Sequence, residues 1–157
     1  QEQKEKAEFI QRFSSGMTPF IQQKLIQSRI PVSHMKGVFI KAIPLKVFFP
    51  SPGDRHRQAV GTYSVESSRI TLAAGVKVHT PIHEIGHHAF HTIFKDHYSD
   101  FWHVYEAARK TGKGFPSEYS KKNEYEFFAE CYLAFVTNPE ILQKKNKPMA
   151  ELLEKIW

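Results

Sequence analysis

A chain of 157 residues, 41% hydrophobic and 13% aromatic, is long enough to bury a core and too apolar to stay disordered. Its net charge of +6 is spread over scattered pairs such as Lys121–Lys122 and Lys144–Lys145, with no Arg stripe or Gly–aromatic signature, which argues for a solvated surface and against nucleic acid as a partner. The apolar stretch GVFIKAIPLKVFFP is interrupted by Lys41, Pro44 and Lys46 and is no membrane span, and the single cysteine, Cys131, excludes an internal disulfide.

The order of elements predicts an α+β fold in one domain over 1–157: an N-terminal helical portion (1–35), strands (36–75) and a helical remainder (79–157). Residues 2–13 and 18–29 read as helices, the second with Thr18 as cap and Pro19 in its first turn. VFIKAI and LKVFF form two β-rich runs bent at Pro44, and SPGDR (51–55) reads as a turn. AVGTYSV and ESSRITLA follow as two tightly joined strands. Thr80-Pro81 opens a helix running to about residue 95, and Ser99 caps the next, which stops at Gly112. After the loop TGKGFPSEYS comes a helix from about Asn123 to Val136, ended by Asn138-Pro139. One or two short helices close the chain, the last opened by Pro148.

Residues 79–91, HTPIHEIGHHAFH, hold five of the nine histidines. At 100° per residue, His83 and His87 project side by side one turn apart, where both imidazoles reach one zinc ion. Glu84 flanks that face and can hold a water at the ion without ligating it. His88 lies off the face, His91 is two turns beyond His83, and His79 precedes the helix; surface or packing roles suit these three better. Gly86 lowers helix propensity by about 1 kcal/mol, and a residue without a side chain there admits a neighbouring backbone or the ion's surroundings. The pattern HExxH is short enough to arise by chance, so a third ligand is needed.

The extended form with a third histidine requires Gly at 90 and His at 93; Phe90 and Ile93 stand there instead. A carboxylate from a later helix remains. In NEYEFFAECYLAFV (123–136), Glu126 and Glu130 share a face while apolar residues fill much of the rest. Carboxylates on a buried helix call for partners. Glu126 at the zinc and Glu130 hydrogen-bonded to a ligand histidine would supply them; the plain alternative is a half-exposed helix with two solvated carboxylates.

HEIGHHAF, followed 32 residues after His87 by YSKKNEYEFFAECYLAF, resembles the catalytic domain of anthrax lethal factor and its smaller secreted relatives, the Pro-Pro endopeptidases. They share an HExxH helix, then a tyrosine, then N-x-x-EFFAE, and the tail TNPEILQKKNKPMAELLEKI is also similar. The likeness spans roughly residues 60–157 and is most specific at 119–131. It implies a zincin-like metalloprotease domain with one zinc ion on His83, His87 and Glu126. Glu84 would be the general base, Tyr119 the hydroxyl beside the oxyanion, and Glu130 a supporting carboxylate. The proline-specific enzymes' substrate-holding loop has no clear counterpart in 50–60.

The expectation is a secreted zinc endopeptidase acting on extended, in some cases Pro-rich, protein segments, with a monomer favoured. RITLA (69–73) would be the sheet edge on which substrate pairs. Phe101, Trp102 and Tyr105 are expected in the core, and Cys131 as a structural thiol. Two alternatives stay open. One is a cytoplasmic metallopeptidase that cleaves phage-type repressors; the other is a catalytically silent, metal-stabilised binding module.

Overall fold

Pro44 decides the fate of the run that follows it. In the computed structural model, which describes residues 1–51 and 60–157, the residues after Pro44 do not extend into a second strand. The Pro44 carbonyl accepts from Val47 N at 2.9 Å and Phe48 N at 3.0 Å, winding Leu45–Phe48 into one helical turn. Leu45 and Val47 are exposed, so burial does little to reward their β propensity and local hydrogen bonding wins. The expected turn at 51–55 falls largely outside the described residues.

The described chain is α+β, with eight α-helices and one four-stranded mixed sheet. It forms two compact units, Gln1–Glu84 and Ile85–Trp157. None of its helices is long and apolar enough to cross a membrane, among the described residues.

In the first unit, α1 (Glu2–Phe13) packs against α2 (Pro19–Gln27). Thr18 Oγ1 caps α2 by accepting from Ile21 N at 3.2 Å, as Thr-Pro at a helix start leads one to expect. The sheet contains β1 (Ser14–Ser15), β2 (Phe39–Ile43), β3 (Gly61–Ser64) and β4 (Arg69–Ala73) in the order β1-β2-β4-β3. Strand β4 runs parallel to β2, with Ile40 beside Ile70 and Ala42 beside Leu72. It runs antiparallel to β3, with Tyr63 beside Ile70 and Gly61 beside Leu72. RITLA is therefore an interior strand, with both backbone edges engaged, and not the free edge expected of it. Ile40, Ile70, Leu72 and Ala73 are fully buried. The short helical turn Leu45–Phe48 is α3, and α4 (His79–Thr92) carries the HEIGH segment as one continuous helix, the unit border lying between Glu84 and Ile85.

The second unit is helical. A 3-10 turn, Phe94–His97, runs directly into α5 (Tyr98–Thr111), and Tyr98 N bonds the Lys95 carbonyl. The expected Ser99 cap is not formed, because the preceding turn starts the helix already at Tyr98 and leaves Ser99 inside its first turn. Gly112, left-handed at φ 71°, ends α5. Asn123 Oδ1 caps α6 (Glu124–Thr137) by accepting from Glu126 N at 2.9 Å. Helices α7 (Pro139–Lys145) and α8 (Lys147–Glu154) follow, with Asn146 Oδ1 capping α8 through Met149 N at 3.1 Å.

Phenylalanines knit this unit. The Phe128 ring centroid lies 4.8 Å from Phe90 and 4.7 Å from Phe94, and Phe101 and Tyr105 are buried beside Phe127. Aromatic pairs at such separations add about 0.5–1.5 kcal/mol each to the area they bury. They hold α6 rigidly, which fixes the side chains it presents.

Candidate metal centre

A continuous helix determines the placement of the first three site residues. On α4, His83 and His87 are half-buried and Glu84 is 6% exposed. One ligating atom from each of His83, Glu84 and His87 lies within 4.8 Å of the other two. These three form the one such cluster of metal-ligating side chains among the described residues. Two imidazoles and a carboxylate make the nitrogen–oxygen donor set that zinc accepts. The cluster can hold a metal ion.

Glu84 is positioned by what is missing opposite it. A Cβ on Gly61 of β3 would stand 2.6 Å from Thr80 Cγ2, 3.2 Å from Leu72 Cδ2 and 3.3 Å from Glu84 Oε2. The bare glycine gives the first turns of α4 their room over the hairpin. An isolated glycine inside a strand pattern signals such a close approach, and this one was readable. Gly86 has a comparable role, although its neighbour is neither backbone nor ion. A Cβ there would be 3.1 Å from three atoms of the fully buried Tyr132 on α6.

Glu126, the expected third ligand, is not a member of that cluster, whose carboxylate is Glu84; helix α6 brings Glu126 to His87. His87 Nε2 and Glu126 Oε1 are 2.8 Å apart, and both groups are mostly sheltered from water. The other carboxylate oxygen, Oε2, accepts from Tyr119 Oη at 3.0 Å. Tyr119 belongs to a 3-10 turn, Tyr119–Lys121, and is 42% exposed, so its hydroxyl sits at a surface another molecule can reach. His87, Glu126 and Tyr119 thus form one hydrogen-bonded chain. Glu130, one turn along α6, accepts from Ser117 Oγ at 2.6 Å. Ser117 also accepts from Ser120 N at 3.2 Å and so ties the segment before Tyr119 to α6. No sequence signal pointed to Ser117.

The remaining histidines of this stretch lie outside the ligating cluster. His79 is exposed at the start of α4 and His88 is buried. His91 stacks on Tyr125 at 5.8 Å and meets Phe90 edge-on at 5.3 Å. Burial lowers its pKa, and the nearby His87 and His88 lower it further. Cys131 is fully buried; its burial, then the charge of Glu130, pushes the thiol pKa well up. A protonated, sheltered thiol is not a nucleophile.

In comparisons with protein-family models, curated proteins and solved structures, the chain matches none.

Proposed function

We propose that this protein is a zincin-like, secreted zinc endopeptidase of the lethal factor-like kind, cutting extended protein segments. The observation that carries the reading is the meeting of two sets of side chains. His83, Glu84 and His87 cluster on one helix turn, while Glu126, from a helix 39 residues on, is hydrogen-bonded to His87 and to Tyr119. Chance HExxH patterns have no reason to come with a sheltered carboxylate and a tyrosine hydroxyl in line.

His83, His87 and Glu126 would hold the zinc. The chemistry such an ion supplies is that of a Lewis acid, lowering the pKa of water to about 7 and polarising a carbonyl. Glu84 carries the proton. Its buried carboxylate accepts one from the attacking water and releases it to the departing amide nitrogen, so the peptide bond breaks into a carboxylate and an amine. Tyr119 donates its hydroxyl proton in a hydrogen bond to the developing oxyanion, exchanging its present acceptor Glu126 for the substrate. Asn123 and Ser117 hold these groups in position, through the α6 cap and the tie to Glu130.

The test pairs metal analysis with proteolysis of a diverse peptide library read by mass spectrometry. The expected result is one zinc per chain and cleavage by the native protein, with Glu84→Gln retaining zinc and losing turnover by about 100-fold or more. Undiminished cleavage by Glu84→Gln would remove the proposed base. Zinc bound with no cleavage of any library member would leave a metal-stabilised binding module in its place. Secretion is tested by whether the protein accumulates outside the cells that make it.

A further inference from the structure

A groove of about 410 Å³ lies between the second half of α5, the Lys113–Gly114 bend and the α7–α8 junction. It shares no residue with the candidate metal centre. Its floor is apolar: Val104, Ala107 and Ala108 of α5 face Pro148 at the start of α8. Its rim is cationic, with Lys113, Lys145 and Lys147, and no carboxylate lines it. None of these three exposed ammonium groups is in an ion pair among the described residues.

The walls are fixed in advance. Asn146 Nδ2 donates to Gly114 O at 3.0 Å while its Oδ1 caps α8 through Met149 N, so both ends of the amide are engaged. Lys145 Nζ donates to Pro116 O at 3.3 Å. A Cβ on Gly114 would come within 3.0 Å of Asn146 Nδ2, and only a glycine lets the bend lie this close. The groove is shallow and open to solvent, which suits an extended segment laid across it better than an enclosed small molecule.

We propose that this groove docks an acidic, partly apolar peptide segment. Its carboxylates would lie on Lys113, Lys145 and Lys147, and its apolar side chains on Val104, Ala107 and Pro148. Charge complementarity sets the sign of the partner: three like charges in one rim repel each other and gain by meeting carboxylates. The apolar floor sets the class. A sugar–phosphate backbone gains nothing from an alanine and valine surface, whereas alternate side chains of a peptide do. Docking here does not depend on the endopeptidase reading.

The experiment is fluorescence anisotropy on the full chain with a labelled octapeptide of alternating Glu and Leu, its mass checked afterwards. Controls are the Gln–Leu analogue, an all-Glu octapeptide and a single-stranded oligothymidine. The Glu–Leu peptide is expected to bind tightest of the four, and to weaken about tenfold in Lys113→Glu/Lys147→Glu and in high salt. Ala107→Trp fills the floor at an exposed position while keeping all three charges, and it is expected to abolish binding in a chain that still folds. Undiminished binding to both variants would overturn the proposal, as would absence of binding to the native chain. Oligothymidine or all-Glu peptide bound as tightly as the Glu–Leu probe would show a polyanion surface and overturn it too.

Discussion

At Gly61 a single hydrogen in place of a methyl group governs where a carboxylate sits. Gly61→Ala would drive Thr80 and Glu84 away from β3, since the new carbon would lie 2.6 Å from Thr80 Cγ2. Overpacking of this kind costs about 1–3 kcal/mol, readable as a lowered midpoint of thermal unfolding. If Glu84 is the base, turnover is expected to fall about tenfold or more, because misplacement by about an ångström has that scale of effect. Zinc content is expected to stay at one per chain. Loss of zinc in step with activity would show that Gly61 supports the ligands and not the base. At this scale the sequence was most legible where spacing alone fixes geometry, as in His83, Glu84 and His87 on one helix turn. It was least legible where a contact depends on a distant element. Nothing near Gly86 announces that Tyr132 fills the space beside it, and nothing near Ser117 announces Glu130.

Elements were readable where capping chemistry is explicit and local. Thr18, read as a cap, does cap α2, and Asn123, read only as the approximate start of a helix, caps α6. The failures share a cause. Leu45–Phe48 has strand composition but leaves Leu45 and Val47 exposed, and the residues around β4 carry no local trace of its pairing with β2, about thirty residues earlier. Helix α1 offers an element-scale prediction. Lys6 is 2% exposed, its ammonium donating to Ser28 O at 2.6 Å near the end of α2. Burial lowers its pKa below 10.5, and the charge of Glu2 only partly opposes this. The folded state then binds the Lys6 proton less readily than the unfolded chain does. Between the folded pKa and 10.5 the unfolded state carries more protons, so stability rises with pH across that window and is flat below it. Urea unfolding between neutral and alkaline pH is expected to show this extra upward slope in the native protein and its loss in Lys6→Met. Equal slopes in both would mean that Lys6 titrates alike folded and unfolded.

For the molecule as a whole, an ion bound by the folded state and not by the unfolded chain stabilises by about 4 kcal/mol at a thousand times its dissociation constant. Chelation is therefore expected to lower the thermal midpoint, and added zinc to restore it, while magnesium, which prefers an oxygen cage, does not. A midpoint indifferent to chelator and zinc would count against a metal in the α4 cluster. The α+β class followed from the order of periodic segments, whereas the division at Glu84–Ile85 passes through a helix and leaves no mark in composition.

The stretch from Gly114 to Tyr119 is moored at both ends: Gly114 and Pro116 to the α7–α8 junction, Ser117 and Tyr119 to α6. Such a tether makes the lysine-rimmed groove and the Tyr119 hydroxyl mechanical neighbours. Lys145 and Tyr119 are thus joined through one short segment whose two ends are hydrogen-bonded to different helices.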